Sequence, residues 1–111
     1  MSHSVFFSID AIGRAVDSAR PESCSGTDTI LELLASLSVE GDFFGLFDER
    51  NVCLQVRYES EENHYWLEVP RPDLGGSYGA HFSFDDAAKV FENLPDLFPE
   101  TGFSGFGFSS W

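Results

Sequence analysis

The chain has 111 residues and a formal net charge of −13, from 19 acidic and six basic residues, together with 12 Phe, three Tyr and two Trp. Disordered acidic segments are poor in aromatic residues, so this composition favours one folded domain over residues 1–111. The scarcity of Lys and Arg argues against direct binding to nucleic acid or to an anionic membrane surface, and no apolar run approaches the ~20 residues of a spanning helix.

The N-terminal segment permits two interpretations. Ser8 is placed to cap a helix in which apolar residues recur at helical spacing at positions 9, 12, 16 and 19. The competing prediction is a strand over residues 5–9, which is favoured by the glycine inside the helical pattern. The segment has neither the basic region nor the apolar length of a secretion signal. We therefore expect a cytoplasmic protein with Cys24 and Cys53 as free thiols.

A loop is predicted at residues 21–26, followed by a helix over residues 28–38. Thr29 and Glu32 have the spacing of a capping box, and Thr27 and Asp28 are alternative caps. The helix carries a wide apolar stripe formed by Ile30, Leu31, Leu33, Leu34 and Leu37.

Four strands are predicted next, at residues 42–47, 52–59, 64–69 and 77–82, with polar turns at 48–51 and 60–63 and a Pro/Gly loop at 70–76. Ser83 is predicted to cap a last helix, which carries two aspartates in its first turn and ends at Pro95. The tail over residues 100–111 is either a fifth strand or a cover for the sheet. These elements predict an α+β fold, a two-layer sandwich in which helices pack on one face of an antiparallel four- to five-stranded meander.

The alternation of residues along the strands sorts the predicted meander into two faces. The predicted core face consists of Phe43, Phe47, Val52, Leu54, Val56, Tyr58, Tyr65, Leu67, Val69, Tyr78, Ala80 and Phe82. The predicted outer face consists of Asp42, Phe44, Leu46, Cys53, Gln55, Arg57, His64, Trp66, Glu68 and His81.

Three residues of the outer face, Arg57, Trp66 and His81, are predicted to lie side by side on adjacent strands. Trp and Arg are over-represented in binding hot spots, so this row is a candidate platform for a partner. The alternative is that the tail folds back over this face and Trp66 is ordinary packing, with Arg57 stacked on it.

Catalytic and metal-binding motifs are not evident in the sequence. His64 and His81 are predicted to approach each other, but a metal site needs three or four ligands, so cross-strand histidines are the simpler interpretation. Cys53 has no predicted base beside it and is interpreted as an inert thiol. The glycines at 75–79 are not followed by the Lys and Ser/Thr of a phosphate loop. We therefore predict a protein without catalysis, metal or cofactor.

The acidic residues at strand ends suggest a different role. Asp48, Glu49, Glu59, Glu61 and Glu62 are predicted to project as mobile carboxylates. Such carboxylates steer a basic partner at a rate that falls with salt. The alternative is an acidic surface that confers only solubility.

Residues 43–94, about half of the chain, carry the stretches FFGLFDERNVCLQV, HYWLEV and SFDDAAKVFENL, with a Gly-rich link between the last two. In this order they resemble the immunity proteins that protect bacteria from their own polymorphic toxins, including those of contact-dependent growth inhibition systems. The resemblance implies a cytoplasmic protein that binds one toxin domain tightly and blocks its active site, in many cases the basic cleft of a nuclease.

The expected contacts of such a protein follow from the predicted outer face and strand ends of the sheet. They are the five strand-end carboxylates, with Arg57 and Trp66 as anchors. Charge repulsion favours a monomer in the free state. One rival interpretation is a non-catalytic interaction subunit or adaptor that binds another basic protein. A third is a small-ligand or enzymatic domain, which predicts a deep pocket lined by convergent polar groups.

Overall fold

A computed structural model describes residues 3–24 and 26–111. The strands are β1 (His3–Ile9), β2 (Arg14–Val16), β3 (Glu22–Cys24), β4 (Phe43–Phe47), β5 (Cys53–Glu59), β6 (His64–Arg71), β7 (Gly76–Phe82) and β8 (Gly107–Ser110). The α-helices are α1 (Thr27–Ser36) and α2 (Phe84–Glu92). The predicted α+β class is confirmed.

The strands form one open antiparallel sheet in the order β2-β1-β4-β5-β6-β7-β8, and β3 also pairs with β1. Strands β4 to β8 are consecutive neighbours, so the predicted meander and its fifth strand are confirmed. The prediction of only four or five strands is wrong. Because β4 occupies one side of β1, both β2 and β3 lie on the other side and form an interrupted edge.

The N-terminal segment is a strand, so the helix capped by Ser8 is wrong and the alternative strand is confirmed with an earlier start. In β1, Val5, Phe7 and Ile9 are buried. Strand pairing on both sides satisfies the backbone polar groups of β1, a non-local effect that outweighs the helical spacing of its apolar residues. The loop at residues 21–26 is also partly wrong because β3 begins at Glu22; Ser25 lies outside the described residues.

The other two predicted helices are confirmed, with corrections at their ends. Gly26 caps α1 with a φ of 94° and no side-chain hydrogen bond, so the predicted box at Thr29 and the alternative caps Thr27 and Asp28 are wrong. That left-handed φ favours glycine. In α2 the predicted cap is confirmed, because the hydroxyl of Ser83 accepts a hydrogen bond from the backbone N–H of Asp86 at 3.2 Å.

The core joins the sheet to the helices through large apolar side chains. The rings of Phe44 and Phe91 lie 5.2 Å apart, and both residues are fully buried. α1 contacts α2, and α2 contacts β6 and β7. Phe98, which follows α2, is also fully buried and stacks on His3 of β1. Neither described helix has the length and hydropathy needed to cross a membrane.

The two faces of β4 are the reverse of the prediction. Phe44 and Leu46 are fully buried on the core face, beside Val56 and Leu54, whereas Phe43 and Phe47 lie on the outer face. The reason is that Phe47 pairs with Cys53, so Val52 belongs to the turn and not to the strand. A shift of one residue in a turn exchanges the faces of the strand before it.

The prediction that Asp42 belongs to the outer face is wrong, because Asp42 lies before β4 and is buried. Its carboxylate accepts hydrogen bonds from the backbone N–H groups of Asp10, Ser38 and Val39 at 3.0–3.1 Å. Burial opposes ionisation, but the three donors outweigh it and hold the pKa of this carboxyl below its ordinary value. Asp42 therefore ties the start of β4 to the end of β1 and to the segment after α1.

The loop predicted at residues 70–76 is shorter than expected. β6 continues to Arg71 and β7 begins at Gly76, with a 3-10 turn over Pro72–Leu74 between them. Pro70 and Arg71 pair with Ser77 and Gly76. The long β6–β7 ladder places the outer-face side chains of both strands in fixed register.

Candidate functional site

The predicted row on the outer face is present. Arg57 pairs with Trp66 across β5 and β6, and Trp66 pairs with His81 across β6 and β7. The rings of Trp66 and His81 lie 4.8 Å apart. Trp66 also covers Gly79, where an added Cβ would lie 2.5 Å from Cζ2 of the tryptophan. Glycine at this position allows the close approach of the indole to β7.

The alternative in which the tail covers this row is wrong. Phe106 contacts Phe82 of the core face, with ring centroids 5.7 Å apart, and Phe103 packs beside Phe98 and Phe106. β8 then continues the sheet at the edge of β7. The tail therefore packs against the core face and extends the sheet, and it leaves Trp66 half-buried.

A polar cluster centred on Glu59 adjoins the row. Its Oε2 accepts a hydrogen bond from Nη2 of Arg57 at 3.0 Å, and its Oε1 lies 2.9 Å from Nε2 of His81 and 3.3 Å from Nδ1 of His64. Partial burial opposes ionisation of Glu59, but hydrogen bonds from Arg57 and His81 outweigh it and hold the pKa of the carboxyl below its ordinary value. The cluster therefore keeps a carboxylate between two imidazoles.

His64 has one nitrogen in an unusual environment. Nε2 lies 3.3 Å from Oε2 of Glu62, whereas Nδ1 is buried and is hydrogen-bonded to no group among residues 3–24 and 26–111. Although Oε1 of Glu59 lies 3.3 Å from this Nδ1, the two atoms do not form a hydrogen bond. One ligand atom from each of Glu59, His64 and His81 lies within 4.8 Å of the others. Glu59 is therefore a candidate third ligand beside the two histidines.

The cluster forms one wall of an acidic cleft of about 500 Å³. The cleft is lined by Glu40, Glu59, Glu61, Glu62, His64 and His81. Oε1 of Glu40 accepts hydrogen bonds from the backbone N–H and the hydroxyl of Ser60, at 2.7 and 2.8 Å. Nothing in the sequence marks Glu40 as part of the site, because only the pairing of β4 with β5 brings it to the β5–β6 turn, where Ser60 lies.

The structure brings five of the seven predicted contact residues together. Arg57, Glu59, Glu61, Glu62 and Trp66 lie at the end of the outer face next to the β5–β6 turn. The other two, at positions 48 and 49, lie in the β4–β5 turn at the opposite end of β5. At about 3.3 Å per residue, the seven residues of β5 separate the two ends by roughly 20 Å.

The prediction that Asp48 is a mobile carboxylate is wrong. Asp48 is 4% exposed. Its Oδ1 accepts hydrogen bonds from the backbone N–H groups of Arg50 and Val52, and its Oδ2 accepts one from Phe98 at 2.8 Å. The carboxylate therefore stabilises the β4–β5 turn and holds the segment around Phe98 against it. Glu49 is exposed as predicted but is not part of the cleft.

The rest of the outer face is apolar or self-paired. Phe6 packs against Phe43 and Phe47 with centroids 6.2 and 5.3 Å away, and Gln55 donates a hydrogen bond to Glu68 at 2.8 Å. Both cysteines are free, as predicted. Burial, with a smaller contribution from the charge of Glu68, raises the pKa of Cys53 to about 12, which agrees with an inert thiol.

The acidic end of the outer face combines three chemical features. Carboxylates line a cleft, a half-buried indole lies next to it, and two histidines share one carboxylate oxygen. The arrangement suits recognition of cationic groups, either basic side chains or a metal ion. Comparisons with protein-family models, with curated proteins and with solved structures yield no significant match.

Proposed function

We propose that this chain is an immunity protein that binds a basic toxin domain and neutralises it, without catalysis of its own. The observation that carries the proposal is the acidic cleft, in which Glu61 and Glu62 are exposed. The row of Arg57, Trp66 and His81 adjoins the cleft through His81. Basic side chains of a toxin pair with the exposed carboxylates, and Trp66 supplies the apolar contact area from which interface hot spots gain most of their affinity.

The net charge of −13 supports the same partner class, because it attracts a basic protein over distances longer than direct contact. A nuclease cleft that binds phosphates is one such basic surface. The carboxylates of the acidic cleft imitate the negative charge of the nuclease's substrate. The resemblance of residues 43–94 to immunity proteins of polymorphic toxins agrees with this role. The proposal places the protein in the cytoplasm, as a monomer when free.

The proposal includes a two-layer arrangement of the domain. The helices form one layer, which packs on the core face of the sheet. The sheet is the second layer, and its outer face is free to bind the toxin. The contact between Phe44 and Phe91 on one side and the exposure of Arg57 and His81 on the other support this division. A rigid sheet then holds Trp66 and the carboxylates in fixed positions for binding.

An affinity pull-down from the source lysate, eluted along a salt gradient and read by mass spectrometry, tests the partner class. We expect one basic protein, encoded beside this chain and toxic when expressed alone, to elute at raised salt. Capture of a non-toxic basic protein would instead favour the adaptor. If the neighbouring gene product is not toxic, the immunity proposal is wrong.

A further inference from the structure

We propose that Glu59, His64 and His81 bind a Zn²⁺ ion, with Oε1 of Glu59, Nδ1 of His64 and Nε2 of His81 as ligands and water in the fourth position. The site is independent of the immunity proposal, because it rests only on the geometry of three side chains on the outer face. Two imidazoles and one carboxylate form a set that proteins use for zinc, with one coordination position left open.

The distances within the cluster fit a tetrahedral ion. Zinc bonds of about 2.0–2.1 Å keep ligand atoms roughly 3.4 Å apart in a tetrahedron. Oε1 of Glu59 lies 3.3 Å from Nδ1 of His64 and 2.9 Å from Nε2 of His81. One ligand atom from each of the three side chains lies within 4.8 Å of the others. Small side-chain rotations therefore complete the coordination sphere.

The buried nitrogen of His64 is the second observation. Nδ1 has lost water and is hydrogen-bonded to no described group, a state that costs free energy in a histidine without a function. On the other side of the ring, Glu62 lies 3.3 Å from Nε2. When Nδ1 binds the ion, the proton of the neutral imidazole lies on Nε2, next to the carboxylate of Glu62. Carboxylates that orient metal-binding histidines in this way are common.

The sheet holds the ligands on three adjacent strands. Glu59 and His64 are direct cross-strand partners on β5 and β6, and His81 lies on β7 opposite Trp66. Arg57 holds the second oxygen of Glu59, which fixes the direction of Oε1. Ligands on paired strands keep their positions better than ligands on loops. The acidic cleft also raises the local concentration of cations.

Calorimetric titration of the metal-free protein with ZnCl₂ tests the site. We expect binding of one equivalent, and a loss of Zn²⁺ affinity of about 10-fold or more in His64→Gln and in His81→Gln. Glu62→Gln is expected to lower the affinity for Zn²⁺ roughly 10-fold, as is usual for groups that orient metal ligands. Glu61→Gln is the matched control, because Glu61 lines the same cleft without contacting either histidine.

Trp66 provides a local readout, since its ring lies 4.8 Å from that of His81. Trp111→Phe leaves Trp66 as the only tryptophan. In that variant we expect Co²⁺, the paramagnetic substitute for Zn²⁺, to quench the fluorescence with the same stoichiometry. Circular dichroism of each metal-free variant establishes that it is folded. Absence of saturable one-equivalent binding, or Zn²⁺ affinity unchanged in both folded histidine variants, would overturn the proposal.

Discussion

Two buried aspartates, Asp42 and Asp48, organise the ends of β4. Each accepts three hydrogen bonds from backbone N–H groups, and each connects segments distant in sequence. Hydrogen bonds to an ionised acceptor are stronger than neutral ones, and removal of the acceptor leaves buried donors unpaired. These two acids therefore stabilise the fold, whereas the exposed acids contribute to the surface charge.

Asp48→Ala is expected to lower the free energy of unfolding by about 2–4 kcal/mol, because the N–H groups of Arg50, Val52 and Phe98 lose their acceptor. Urea unfolding monitored by circular dichroism measures the change. Glu49→Ala is the matched control, since Glu49 is an exposed acid in the same turn, and we expect a change within about 0.5 kcal/mol. Equal effects of the two substitutions would mean that Asp48 is not a buried anchor.

Asp42 makes stability depend on pH. Its pKa in the folded state lies below the ordinary 3.8, so the folded protein binds fewer protons here than the unfolded chain. The stabilisation is complete above the unfolded pKa and is lost as pH falls from about 3.8 through the folded pKa. The stability difference between wild type and Asp42→Asn should therefore be larger at about pH 7 than at about pH 3 in urea unfolding. A difference independent of pH would contradict this account.

At the level of elements, the local signals of the middle and end of the chain are strong enough to predict structure. The alternation along β5, the polar turn before β6 and the cap at Ser83 each act within a few residues. The N-terminal strands are different, because β1 is defined by its pairing with β4, over 30 residues away. The apolar residues of this segment also fit a helical spacing, so the sequence alone does not decide between a helix and a strand.

Helix α2 packs on the sheet through Phe91, which is fully buried against Phe44. Phe91→Ala is expected to lower the free energy of unfolding by about 2–5 kcal/mol, because the cavity is surrounded by side chains that relax only in part. Phe84→Ala, at an exposed phenylalanine of the same helix, should cost clearly less. Thermal or urea unfolding of both variants gives the comparison, and equal losses would mean that α2 packs through a different face.

The candidate site was predictable only in part. The row of Arg57, Trp66 and His81 follows from the β5–β6 and β6–β7 registers, which short turns and alternation reveal. The participation of Glu40 and the shared contact of two histidines with one carboxylate depend on tertiary geometry. Asp48 was misassigned because an acid in a turn has the same sequence pattern whether it is solvated or bonded to the backbone.

For the whole molecule, charge and shape act together. Long-range attraction of a basic partner depends on the total charge, whereas docking depends on which carboxylates meet the partner. Glu61→Lys/Glu62→Lys changes the cleft, and Glu32→Lys/Glu92→Lys makes the same change of net charge on the exposed sides of α1 and α2. The pair of variants therefore separates local from global electrostatics.

We expect the cleft variant to associate with its partner about tenfold more slowly than the helix variant at low salt, with the difference shrinking as salt is raised. Stopped-flow or surface-based kinetics with the partner identified by pull-down measures both rates. Both variants should retain the unfolding free energy of the wild type to within about 0.5 kcal/mol per substitution, because all four residues are exposed. Equal slowing of association in the two variants would mean that the cleft is not part of the interface.

The most direct test of the proposed function is growth of cells that express the captured basic partner together with this chain. If the chain is an immunity protein that acts through the acidic cleft, the wild type and the helix variant restore growth, and the cleft variant does not, although it is folded. Persistent toxicity in the presence of the wild type would contradict neutralisation, and full rescue by the cleft variant would contradict the proposed site.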